Sequence, residues 1–132
     1  MKHFLPFLFL LLCVPLTGCG DGALRVSGTI SFPDNSPLTA GAVIFSSSAH
    51  TGQGALDANG RYSMSLPPGN YKVHIAYASV PDKTFVPPAD DPDAVRHIFL
   101  IHSSFASVDT TPLACDVTKS GTHNFTVEKP EG

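Results

Sequence analysis

From Leu24 onward, apolar and polar side chains alternate residue by residue in short runs. Clusters of Gly, Pro, Asn and Asp separate the runs, and no apolar stripe recurs at helical spacing. Leu24, Val26, Gly28, Ile30 and Phe32 share one face of a first strand, broken at Pro33-Asp34-Asn35-Ser36-Pro37. Gly41 to Phe45 and Gly54 to Leu56 form the second and third. The turn Asp57-Ala58-Asn59-Gly60 supplies residues that tolerate positive φ, and Arg61 to Leu66 returns antiparallel with Tyr62, Met64 and Leu66 inward. Beyond Pro67-Pro68-Gly69-Asn70, the strand Tyr71 to Ala78 places Tyr71, Val73, Ile75 and Tyr77 on one face. Leu113 to Val117 and Thr122 to Glu128 read as a final hairpin across Lys119-Ser120-Gly121. The pattern predicts an all-β protein, a seven-strand antiparallel β-sandwich.

Residues 79–112 depart from this pattern. The segment carries Pro81, Pro87, Pro88 and Pro92 and the acidic cluster Asp90, Asp91 and Asp93, with no strand periodicity. Irregular segments of this length inside compact domains are usually functional or disordered. Its second half, Ile98 to Ile101 and Phe105, is too apolar to be left in water and is expected to pack back on the sandwich, leaving Pro87 to Asp93 as a mobile candidate binding loop.

The first eighteen residues have a different composition. Lys2 and His3 precede the apolar stretch Phe4 to Val14, which has the length of a secretory signal and falls short of a membrane span. Leu16-Thr17-Gly18-Cys19 resembles the bacterial lipobox, in which a cysteine receives diacylglycerol and becomes the mature N-terminus. That resemblance implies a signal peptide over 1–18, a lipidated linker over 19–23, and a domain over 24–129 held to a membrane outside the cytoplasm. Two or more acyl chains convert transient membrane contact into stable anchoring. In the sorting logic of enteric lipoproteins, Asp directly after the cysteine retains a protein at the inner membrane; Gly20 stands there and Asp21 follows, which favours the outer membrane.

Without residues 1–18 the chain has 114 residues, with seven Lys and Arg against eleven Asp and Glu. That length suits one domain. Mild acidity with no basic run argues against nucleic acid as a partner and against recruitment by anionic headgroups. With Cys19 acylated, only Cys115 is left, so no intramolecular disulfide is available. Its alternation with Leu113 and Val117 predicts a buried, inert thiol.

No His-Glu-x-x-His or Gly-x-Ser-x-Gly pattern occurs, so hydrolase templates fail and no cofactor is expected. The best metal-site alternative joins His97 and His102 with Asp90, Asp91 or Asp93, since two imidazoles and a carboxylate suit zinc or copper. Against it, two histidines five residues apart on an extended segment face opposite sides. The expected partners are the membrane, through the lipid, and an unidentified protein or glycan met by the loops.

Val26-x-Gly28-x-Ile30, Pro37-Leu38-x-x-Gly41-Ala42-x-Ile44-Phe45, Asp57-x-Asn59-Gly60-Arg61-Tyr62 and Leu66-Pro67-Pro68-Gly69-Asn70-Tyr71-Lys72-Val73 together resemble the carboxypeptidase regulatory-like domain. The match spans roughly Leu24 to Ala78, and the tail is similar to that of short lipoproteins of planctomycete-type bacteria. The resemblance implies a transthyretin-like, immunoglobulin-like β-sandwich without the zinc ligands of the carboxypeptidases to which such domains are appended. It is a resemblance of fold motifs, and it implies an architecture without implying an activity.

Overall fold

The computed structural model describes residues 23–131. In chain order these form β1 (Leu24–Ser31), β2 (Ala42–Ser46), β3 (Thr51–Ala55), β4 (Arg61–Leu66), β5 (Gly69–Ala76), β6 (Ser79–Pro81), β7 (His97–Phe99), a 3-10 turn η1 (Ser103–Ala106), β8 (Ala114–Val117), β9 (Gly121–Thr122) and β10 (Phe125–Thr126). One sheet runs β3-β2-β5-β8, antiparallel throughout. The other pairs β1 antiparallel with β4 on one side and parallel with β9 and β10 on the other. The fold is an all-β sandwich, as the alternation predicts.

The two inner faces make the core. β1 contributes Val26 and Ile30, β4 contributes Tyr62, Met64 and Leu66, and the facing sheet contributes Val43, Phe45, Tyr71, Val73, Ile75, Cys115 and Val117. Phe45 sits at the centre, its ring centroid 6.0 Å from those of Tyr62, Tyr71 and Phe125. Tilted and edge-on arrangements at such distances suit the quadrupoles of the rings. Turn chemistry follows the sequence: Asp57 Oδ1 accepts from the amides of Asn59 and Arg61 at 2.8 and 2.9 Å, and Gly60 takes the positive φ of 73°. Those bonds, the Arg61 amide first, hold the Asp57 carboxyl below its ordinary range. The role of Asp57 is in the turn.

The expected final hairpin does not form. β8 and β9 belong to opposite sheets, and the chain crosses the sandwich at Thr118 to Ser120. Residues 121–126 then run parallel to β1 in a single register, Val26 opposite Gly121 and Ile30 opposite Phe125. Side chains complete this ladder where backbone partners fail. Ser120 Oγ accepts from the Arg25 amide at 2.9 Å, and Asn124 Oδ1 accepts from the amide and hydroxyl of Thr29 at 2.9 and 3.1 Å. Between β9 and β10 the His123 carbonyl accepts from the Tyr62 hydroxyl at 2.6 Å, and it passes through the space a Cβ on Gly28 would fill. Burial pushes the Tyr62 phenol above its ordinary pKa, so it stays a neutral donor.

Register also fixes the two ends of the sandwich. Leu24 is opposite Leu66, Pro67 and Pro68 lead directly to Gly69, and Gly69 is opposite Val117. Ala42 and Ala76 are paired at the other end, from which residues 77–112 depart.

Candidate binding cleft

The segment 79–112 is more organised than its composition predicts. β6 and β7 form a short antiparallel ribbon, with Ser79 opposite Phe99 and Pro81 opposite His97. Runs of three residues are too short to show a period in sequence. The ribbon closes on Asp82 and Arg96. Oδ2 of Asp82 accepts from Nε and Nη2 of Arg96 at 2.9 and 2.5 Å, while Oδ1 accepts from the amide and hydroxyl of Thr84 at 2.9 and 2.6 Å. The Asp82 side chain is only 7% exposed, and the Arg96 guanidinium lies 5.1 Å from the centre of the Phe85 ring. Hydrogen bonds from Thr84, then Arg96, hold the Asp82 carboxyl at about 2.

This clamp has a definite pH signature. A depressed carboxylate contributes fully above its ordinary range, near 3.8, and its contribution is lost as pH falls through about 2. Amide exchange of residues 83–95, corrected for the intrinsic pH dependence of exchange, is expected to accelerate relative to β2 between pH 4 and 2. Equal protection of both segments down to pH 2 rules out a role for the Asp82 charge in holding the loop.

At the end of β5 the inward alternation breaks. Tyr77, expected in the core, has φ of 59° and is 83% exposed, and Ala78 takes the buried place instead. A bulky residue in the left-handed region is uncommon and costs on the order of 1–3 kcal/mol, and such strain clusters at functional sites. The apolar second half of the insertion divides. Ile101 and Phe105 enter the core as expected, while Ile98 is exposed and Phe99 is 71% exposed.

Tyr77 and Phe99 line a cleft of about 620 Å³. Its floor is Ile75 to Ala78, the end of β5 and the two residues after it; one wall runs from Phe99 to Ala106; the other is Pro130 and Glu131. The Glu128 carbonyl accepts from the His102 amide at 2.8 Å, which brings the tail against this wall. Volume and mixed lining are those of a small-ligand or side-chain pocket. His102 Nδ1 accepts from the Ser104 amide at 3.2 Å, capping η1, so the neutral ring carries its proton on Nε2. That nitrogen lies 3.7 Å from Glu131 Oε1.

Of the candidate binding and metal residues named from the sequence, only His102 lines this cleft. Asp90, Asp91 and Asp93 are exposed at the tip of the loop, which turns through Asp91 N to Pro88 O and Ala94 N to Asp91 O contacts of 3.1 Å each. His97 is exposed on β7. Among the described residues no three His, Cys, Asp or Glu side chains gather as a metal-ligand set, so the geometry does not join His97 and His102 to the acidic trio. Cys19 lies outside the described residues. Cys115 is buried, and burial raises its thiol pKa. Sequence reasoning missed Tyr77 because the pleat puts it inward; only the backbone flip reveals it.

No family model matches the chain, and no curated protein matches it. Among solved structures, a DUF3823 family protein from Bacteroides ovatus is 13% identical over 80% of this chain and 44% of its own, with a TM-score of 0.43. The major pilin subunit of Bacillus cereus is 12% identical over 82% of this chain and 30% of its own, at 0.49. The Bacillus anthracis TIE protein is 12% identical over 82% and 17%, at 0.45. The chain spans less than half the length of each.

Proposed function

We propose that this is a lipid-anchored lipoprotein of the cell envelope whose carboxypeptidase regulatory-like sandwich is a non-catalytic binding module, with its recognition site in the cleft of Tyr77, Phe99 and His102. One observation carries this reading: the chain enters the sandwich at Leu24, at the end opposite the cleft. Acyl chains on Cys19 tether the Leu24 end to the bilayer. The eight residues of β1, about 25 Å of strand, then hold the cleft away from the surface, toward a partner in the periplasm or outside the cell. The cleft's chemistry supports binding over turnover. His102 spends one nitrogen on capping, and the single cysteine of the described residues sits in the core. The motif residues support the family reading through local roles, Gly28 and Tyr62 at the parallel ladder and Asp57 to Gly60 at the turn.

Cys19→Ala is expected to abolish fatty-acid labelling and release the protein from the membrane fraction; retention with label overturns the anchor. In membrane-bound protein, a nickel chelate carried on lipid headgroups is expected to enhance the relaxation of a spin label at Pro68 more than that of one at Val95. The reverse order overturns the orientation.

A further inference from the structure

Resting on the reading of the cleft as the recognition site, we infer that it receives a cationic side chain, a guanidinium or ammonium presented by an extended segment of a partner protein.

Charge complementarity argues for this occupant. Among the described residues, Glu131 is the only carboxylate in the lining, and no Lys or Arg lines the cleft. In the surrounding segment 79–112 Asp82 and Arg96 neutralise each other, which leaves Asp90, Asp91, Asp93 and Asp109 against Lys83. The field at this end of the molecule is therefore negative, which attracts a cation and repels an anionic ligand.

The aromatic surface argues for it as well. Arg96 lies over the Phe85 ring at 5.1 Å and Lys129 over the Phe32 ring at 5.4 Å, so two of the chain's own cations rest on aromatic rings. Tyr77 and Phe99, the most exposed rings of the described residues, have no such cation among those residues, and they share the cleft with the Glu131 carboxylate. Exposed aromatic rings are the usual surroundings of a bound organic cation, and a carboxylate beside them adds its charge. The left-handed backbone at Tyr77 keeps its ring out of the core and available to a partner.

The test uses the full chain in detergent micelles. Its probes are an extended peptide alternating arginine with valine, the same peptide with citrulline for arginine, and a neutral glucose tetrasaccharide. The arginine peptide is expected to bind at least tenfold more tightly than the citrulline peptide. Glu131→Gln and Tyr77→Gly are each expected to weaken it about tenfold. Glycine accepts the positive φ at 77, so Tyr77→Gly removes the ring and keeps the fold, and an unchanged melting curve checks this. Equal binding of the two peptides, with both lost in Tyr77→Gly, overturns the cation and leaves the cleft as the recognition site. Binding of the tetrasaccharide alone, again lost in Tyr77→Gly, has the same meaning and makes the ligand a glycan. Arginine-peptide binding that survives Tyr77→Gly and Glu131→Gln but is lost when Asp90, Asp91 and Asp93 become Asn moves recognition to the loop tip and overturns both readings. Failure of all three probes to bind overturns the cation and leaves the anchored module to be judged by the Cys19 and spin-label results.

Discussion

Gly28→Ala is expected to cost more than about 4 kcal/mol, a large share of the stability of an ordinary domain. A Cβ at that position would lie 1.8 Å from the His123 carbonyl oxygen and 2.6 Å from its carbon. Both are backbone atoms, so no side-chain rotation relieves the clash. Moving the carbonyl breaks its 2.6 Å bond to the Tyr62 hydroxyl and strains the neighbouring bonds, His123 N to Ser27 O at 2.7 Å and Thr29 N to Asn124 Oδ1 at 2.9 Å. The third contact of the added methyl is the Tyr62 ring at 3.1 Å, which packs against Phe45. Tyr62→Phe isolates one part of this. It keeps the ring but leaves the His123 carbonyl without its donor, at about 1–3 kcal/mol. Urea melts of the two variants order the effects. A Gly28→Ala protein melting within a few degrees of the parent would show that residues 121–126 do not lie along β1, and the terminal hairpin suggested by the sequence would be the better arrangement.

The contrast between these two arrangements shows what the sequence carries. Strand positions were legible because one buried face imposes a period of two; of Thr122 to Glu128, however, only Thr122, Phe125 and Thr126 lie in strands, the ladder being interrupted at His123 and Asn124 and ending at Thr126. Pairing was less legible. The parallel ladder joins residues 95 positions apart, and nothing in local alternation distinguishes it from a hairpin with the adjacent β8. Gly28 held a hint, since a glycine inside a strand marks close approach of another backbone. The cleft was less legible still. Composition singled out the insertion, whose acidic tip is exposed loop, while the concave surface lies at its base. Tyr77 was assigned inward by the same alternation that placed Tyr71, Val73 and Ile75 correctly. A single residue at positive φ reverses the face, and alternation does not encode it.

Phe45→Ala is expected to be the most costly of the side-chain truncations, about 3–5 kcal/mol. Phe45 belongs to β2, yet its neighbours come from both layers: Tyr71 from its own sheet, and Tyr62 and Phe125 from the sheet opposite. Its side chain is fully buried, and the surrounding strands are held by ladders on either side of β2, so the site has little room to collapse around the loss. A cavity that cannot collapse lies at the upper end of the range. The aromatic contacts add about 0.5–1.5 kcal/mol each beyond area burial, which couples the two sheets directly. Phe45→Leu recovers most of the volume but none of the ring contacts, and is expected to fall between the parent and Phe45→Ala. His97→Ala, on the exposed β7, is the control and is expected to change stability by less than about 0.5 kcal/mol. Equal midpoints for Phe45→Ala and His97→Ala in urea would place the core elsewhere than between these sheets. A Phe45→Ala protein that keeps its β signal but loses cooperative melting would show the sheets folding without packing on one another. The cleft would then be expected to fail with them, because its floor includes the end of β5, which reaches the core through Ile75.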